Sequence, residues 1–216
     1  MKKIKIATAQ FENKSGDKKY NLATIEKLAG KAAKEGAKAI AFHECSITGY
    51  SFARHLSKEE MLDIAEFIPG GESIQNLIEI AATHNIAVLA GLFEKDKEDN
   101  LYKAYVCVDK NGLVAKHRKL HPFINPHLLP GNSYTVFEIE GWKCDILICY
   151  DSTIIENVRA PNFVGADILV MPNVTMFTPA RRPGTGVVDT AFWTTGESER
   201  TAVGRGFEGR KGKPGV

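Results

Sequence analysis

The 216-residue sequence predicts a layered α/β or α+β domain, and three observations carry that expectation. Short β-like runs alternate with segments whose apolar residues recur at helical spacing. Capping and turn residues fall at the boundaries between them. The middle strands follow one another through tight turns, which adds antiparallel pairing to the strand and helix alternation and points to mixed sheets covered by helices.

Taken in order, Ile4 to Phe11 (IKIATAQF) is β-like. The next segment places Leu22, Ile25, Leu28, Ala32 and Ala33 at helical spacing before Gly36, which suits a C-terminal cap. Ala37 to Glu44 is a second short strand, followed by a loop-like CSITGYSF. Ser57 with Glu60 three residues later forms a capping box for a second helix, and a third amphipathic helix begins at Ser73. IAVLAGLFEK and LYKAYVCVD read as successive strands, and Asp109 to Gly112 is a hairpin turn leading into LVAKHRKL, so these strands are expected to be antiparallel. YTVFEIE and KCDILIC repeat the pattern around Gly141. A helix near Ile154 to Val164 then precedes a last strand, Asp167 to Pro172.

Composition excludes several classes. A net charge of +2 without a block of like charge gives no surface suited to nucleic acid or to a membrane. The start, MKKIKIATAQFENK, has no apolar stretch behind its lysines, and the longest apolar run, Ile86 to Phe93, is too short to span a bilayer. A soluble, cytoplasmic chain is expected. Cys45, Cys107, Cys144 and Cys149 show no CxxC spacing and need not pair. Past Pro172 the texture changes. The residues from Arg181 hold 8 of the 19 glycines and read as loop or disorder, which divides the chain into a domain over 1–180 and a Gly-rich basic tail over 181–216.

The chemistry centres on DILICYDSTIIENVR, where an apolar strand delivers Cys149 into Tyr150 and Asp151. A lone strand cysteine is ordinarily core. A nucleophilic one needs help, because a thiol with a pKa of about 8.5 is mostly protonated at neutral pH. Three kinds of support are available. One is a histidine from His43, His117, His121 or His127. Another is a metal held through His117 and His121, which Pro122 and the preceding strand pattern disfavour. The third is a carboxylate with a lysine: Glu44, Lys119 and Cys149 each sit at the exit of a different apolar strand, where a sheet edge can gather them. Singly, Glu44 reads as a solvated strand-end acid, and Lys119 as one of several basic residues coating a surface.

From IKIATAQF through DILVMPNVT the chain resembles the nitrilase superfamily of carbon-nitrogen hydrolases. AFHECSITGY is similar to the glutamate motif of that family, HRKLHPF to its lysine motif and ICYDSTIIENVR to its nucleophile motif, in the family's order. The resemblance implies a four-layer α-β-β-α sandwich, with Glu44 as general base, Lys119 as cationic stabiliser and Cys149 as nucleophile. It implies Glu156 and Arg159 as a supporting ion pair, a backbone N–H near Tyr150 at the oxyanion, no metal and no organic cofactor. It also implies a small-molecule substrate and a homo-oligomer. Cys-Tyr-Asp is similar to the amidase and carbamoylase branches, which favours an amide or N-carbamoyl substrate over a nitrile. An inactive binding or subunit-interaction module is the reading from another class. There are two departures. His127 stands eight residues past the lysine, where many members carry a second glutamate, and is the candidate to replace it. Members also run several dozen residues further, so the sandwich is expected to be incomplete at its C-terminus and the chain truncated or frameshifted.

Overall fold

The structure is a computed structural model, and it describes residues 3–174. The first strand, β1 (Ile6–Ala9), leads into helix α1 (Lys18–Lys34), whose N-cap Asp17 accepts the Tyr20 N–H through its side chain. The helix stops where the sequence says it should. Gly36 adopts φ +83° and donates to Ala33 O at 2.9 Å, while Ala37 N–H reaches Ala32 O at 3.0 Å, closing a Schellman-type end. Strand β2 (Ala39–Phe42) follows. The loop-like segment after it includes a 3-10 turn, Ser51–His55, and then comes helix α2 (Lys58–Ile64) with both bonds of the Ser57/Glu60 capping box formed. Helix α3 (Glu72–His84) starts one residue before the expected Ser73, on a Gly71 cap, and ends on Asn85 in the left-handed region.

Strands β3 (Ala87–Lys95), β4 (Leu101–Asp109) and β5 (Gly112–Arg118) form the antiparallel meander read from the Asp109 to Gly112 turn. With β1 and β2 they make a five-stranded sheet ordered β1-β2-β3-β4-β5, parallel from β1 to β3. A second sheet pairs β6 (Val136–Ile139) antiparallel with β7 (Trp142–Ile146). Its other member, β8 (Ile168–Val170), runs parallel to β7 after helix α4 (Ile155–Phe163).

Two cores set the layers. Helices α1 and α3 cover one face of the large sheet through Ile25, Ile74 and Leu77, none of which has exposed surface. Burying side chains of this size stabilises the fold by about 1.5–3 kcal/mol each. The other face of that sheet, with Leu89, Tyr105 and Cys107, packs on Phe137, Cys144, Ile146 and Ile148 of the small sheet and its exit. Because this contact occupies the inner face of the small sheet, the parallel β7–α4–β8 crossover carries α4 over its outer face. The order of layers is therefore α-β-β-α. The expected division at residue 180 and the 181–216 tail lie outside the described residues. No helix among the described residues is long and apolar enough to cross a membrane.

Candidate active site

Glu44, Lys119 and Cys149 leave the ends of β2, β5 and β7 and meet. Lys119 Nζ donates to Glu44 Oε1 at 2.7 Å, and both side chains are 1 % exposed. A charge removed this far from water must be paired, since an unpaired one would cost several kcal/mol. Glu44 Oε2 is buried, with no bond from either lysine among the described residues. Cys149 opens a 3-10 turn, Cys149–Thr153, at φ +52°, a left-handed conformation that costs a non-glycine residue about 1 kcal/mol or more and is concentrated at functional sites. Its N–H donates to Pro172 O at 2.9 Å, which fastens the turn to the chain leaving β8. Burial holds the Cys149 thiol above its usual pKa, and the Glu44 carboxylate raises it further while the Lys119 ammonium pulls it down. At rest the sulfur is therefore a thiol, and a nearby proton acceptor is needed to make it a nucleophile.

Local packing explains why Glu44 stays in place. Its loop lies on β3 at Gly91, where Ile47 N–H donates to Gly91 O at 3.0 Å and Gly91 N–H to Ser46 Oγ at 3.2 Å. A Cβ at Gly91 would stand 2.5 Å from Cys45 N, so only glycine allows this approach. Asn13 Nδ2 on Cys45 O and Asn21 Nδ2 on Ile47 O hold the loop from the other side.

The lysine and cysteine segments are joined by Asp151, which is fully buried. Its Oδ2 accepts Leu120 N–H at 3.0 Å. Its Oδ1 accepts His121 N–H at 2.8 Å and lies 3.0 Å from His121 Nδ1. The acid two residues past Cys149 thus satisfies two backbone donors just beyond Lys119. Its place in Cys-Tyr-Asp was visible in the sequence, but its partners were not.

The remaining candidates are more dispersed. Tyr150 is 56 % exposed, its ring edge-on to His121. His127 is exposed and donates its N–H to Asn125 Oδ1. It makes no bond to Glu44, Lys119 or Cys149 among the described residues. Glu156 and Arg159 are exposed on α4 with no salt bridge between them among the described residues. Arg159 instead sits 5.8 Å from the Phe163 ring. The expected ion pair is therefore not formed: an exposed pair of long side chains gains too little to offset the entropy of holding them together. His117 and His121 do not converge either. His117 is buried in β5 with Nδ1 on Thr135 Oγ1, while His121 stays near solvent on Asp151.

Sequence reading missed Lys103. It is buried in β4 and its Nζ lies 3.2 Å from the same Glu44 Oε1 that Lys119 engages. The available signal was its alternation with Leu101, Tyr105 and Cys107, which puts a lysine on an otherwise core-facing row.

Comparison with known proteins agrees with this architecture. The family model for carbon-nitrogen hydrolase matches residues 5–193. A nitrilase from Pyrococcus abyssi is 30% identical over 210 residues, covering 95% of this chain and 78% of that protein. An omega-amidase from Xenopus tropicalis is 30% identical over 190 residues, covering 82% of this chain and 66% of that protein. Among solved structures, Nit3 of Saccharomyces cerevisiae, a member of branch 10 of the nitrilase superfamily, superposes with a TM-score of 0.69 at 26% identity, over 78% of this chain and 64% of that one. An amidase from Nesterenkonia gives 0.66 at 22% identity, with the same coverage. The chain thus spans less than two thirds of the length of these solved relatives. With a family match that takes in every strand and helix described above, and with the glutamate, lysine and cysteine motifs converging in space, the chain belongs to the carbon-nitrogen hydrolase family, the nitrilase superfamily.

Proposed function

We propose that the protein hydrolyses a non-peptide carbon-nitrogen bond in a small amide or N-carbamoyl compound through a cysteine acyl-thioester. One observation carries this reading: Glu44 and Lys119 form a 2.7 Å pair in a nearly water-free site, and the Cys149 thiol is subject to the charges of both. In the proposed reaction Cys149 Sγ attacks the carbonyl carbon as its proton passes to Glu44 Oε2. The carbonyl π pair moves onto oxygen, where the Lys119 ammonium and the Tyr150 backbone N–H hold it. Collapse expels the nitrogen, which leaves as ammonia after taking the proton from Glu44. Water then attacks the thioester with Glu44 again as base, and the acid is released. The low exposure of the pair strengthens each of these electrostatic steps.

The similarity to an omega-amidase and to an (R)-stereoselective amidase from Pseudomonas supports an amide, while the similarity to a nitrilase keeps a nitrile as the second reading. The deciding experiment is intact-protein mass spectrometry after incubation with a panel of amides, N-carbamoyl amino acids and nitriles. An acyl adduct on Cys149 from an amide or carbamoyl compound is expected, and is expected to be absent in Cys149→Ala. Adducts from nitriles alone would favour the second reading. No adduct from any compound would indicate a binding module without turnover.

A further inference from the structure

Glu44 is paired with two lysines, and the family motifs account for only one. Lys103 comes from the middle of β4, with 0 % of its side chain exposed, and its Nζ is 3.2 Å from Glu44 Oε1. It also donates to Phe123 O at 3.0 Å and sits 4.2 Å from the centroid of the Tyr50 ring. Its backbone carbonyl accepts the Lys119 N–H at 2.8 Å, so one residue touches the acid, the lysine segment and the loop beyond it. Both ammonium groups converge on Oε1, and Oε2 takes neither of them.

A single lysine would face two demands. It would have to neutralise a buried carboxylate at rest, and it would have to hold a substrate oxyanion in the transition state. Buried at 1 % exposure, Glu44 cannot give up its first counter-ion without a large desolvation cost, so a lone Lys119 would be held where it rests. A second ammonium removes the conflict.

We propose that Lys103 is a positioning residue for hydrolysis: it neutralises Glu44 through Oε1, which keeps Oε2 open as the proton acceptor and leaves the Lys119 ammonium for the oxyanion. The proposal rests on the acyl-thioester reading above. The charges balance through the step. At rest two ammonium ions face one carboxylate and a neutral thiol. When Sγ bonds to the carbonyl carbon, its proton sits on Oε2, Glu44 becomes neutral, and the negative charge appears on the substrate oxygen beside Lys119. Oε1 remains an acceptor for Lys103 in either state. Lys103 is held between Glu44 Oε1, Phe123 O and the Tyr50 ring, so its charge acts through Glu44.

The groups that bear on Glu44 come from every element around it: Lys103 from β4, Lys119 from the end of β5, Cys149 from the turn after β7, and Cys45 and Tyr50 from its own loop. Removing the Lys103 charge should therefore leave Glu44 Oε1 with the Lys119 ammonium alone among these groups. The test is the rate of Cys149 acylation by p-nitrophenyl acetate, followed from pH 5 to 8 in the wild type and in Lys103→Met, Lys103→Gln and Lys103→Arg, together with thermal melts and amide turnover. The acid limb should move up by about one pH unit in both neutral variants and stay in place in Lys103→Arg, as expected for loss of an opposite charge within about 4 Å. Amide kcat in the neutral variants should fall by about tenfold or more with KM nearly unchanged, the sign of an interaction made in the transition state.

An acid limb in the neutral variants that superimposes on the wild type would overturn the proposal. So would a Lys103→Arg limb displaced as far as that of Lys103→Met. Failure of both neutral variants to fold, beside a Lys103→Arg that melts as the wild type does, would reduce Lys103 to a structural counter-ion and also overturn it. Cys149→Ala separates the two layers of inference. If that variant is acylated as fast as the wild type, the underlying mechanism fails. If it is inert while the neutral Lys103 variants behave as wild type, only the role of Lys103 fails.

Discussion

Gly91→Ala should cripple the site from a residue that carries no functional group. The new Cβ would stand 2.5 Å from Cys45 N and 3.1 Å from Tyr105 Cδ2, whereas ordinary contact begins at 3.4 Å. Backbone on the Cys45 side must therefore retreat by about 0.9 Å, or β3 must bend away by as much. The Ile47 N–H to Gly91 O bond and the Tyr105 hydroxyl bonds to Phe42 O and Leu89 O resist either motion. Overpacking of this kind costs about 1–3 kcal/mol of stability. Glu44 immediately precedes the displaced residue, so its carboxylate moves relative to Lys119 and Cys149, and a misplacement of about 1 Å lowers rate by about a hundredfold. The assay pairs amide turnover with a denaturant melt, using Gly36→Ala as control. Gly36 has open space around its missing side chain but φ +83°, so alanine there costs stability by backbone strain, about 1 kcal/mol, without approaching the site. The expected outcome is that both variants lose stability and only Gly91→Ala loses turnover. A Gly91→Ala protein that folds cooperatively and retains more than half the wild-type rate would refute the reasoning.

Four further outcomes follow from the structure. Cys149→Ala should abolish turnover while melting close to the wild type, and a purified variant keeping a tenth of the activity would remove Cys149 from its role. Glu44→Gln should also stop turnover yet speed iodoacetamide alkylation of Cys149 at pH 8, because the carboxylate that raises the thiol pKa is gone while Lys119 still lowers it; slower alkylation would contradict that sign. Asp151→Ala leaves the Leu120 and His121 N–H groups without their acceptor and should cost about 2–4 kcal/mol in chemical denaturation, with loss of activity as Lys119 is released. Burial holds the His117 pKa down from 6.5 to about 4, so the unfolded chain binds this proton first. The stability it contributes is therefore present above about pH 6.5 and lost as pH falls toward 4. Replacing His117 with Phe should flatten that decline in a urea series, and an unchanged slope would count against it.

Much of the fold was written in short stretches of chain. The α1 stop at Gly36, the Ser57/Glu60 box, the Asp109 to Gly112 turn and the alternation of β4 all depend on neighbours within a few residues, and each appears in the structure within a residue or two of its expected place. The three motif residues could be read for a related reason: each ends an apolar run, and polar groups at strand exits gather at one sheet edge. By contrast, Lys103 lay unmarked in the strand LYKAYVCVD, Gly91 in the apolar run Ile86 to Phe93, and Asp151 only as the acid two residues past Cys149. Nothing near them in sequence tells what they meet. Lys103 finds Glu44 across two strand pairings, Gly91 finds the loop after β2, and Asp151 finds Leu120 31 residues away.

The sequence by itself therefore determined the order of elements, their caps and turns, and the three groups that end on one edge, because periodicity and capping are local properties of the backbone. Only the tertiary structure decided that one carboxylate oxygen takes two ammonium groups and the other neither, that a glycine makes room for the Glu44 loop, and that Arg159 lies by the Phe163 ring. These outcomes turn on separations of a few ångströms between segments dozens of residues apart, set by how two sheets pack, and packing depends on every side chain in the interface at once.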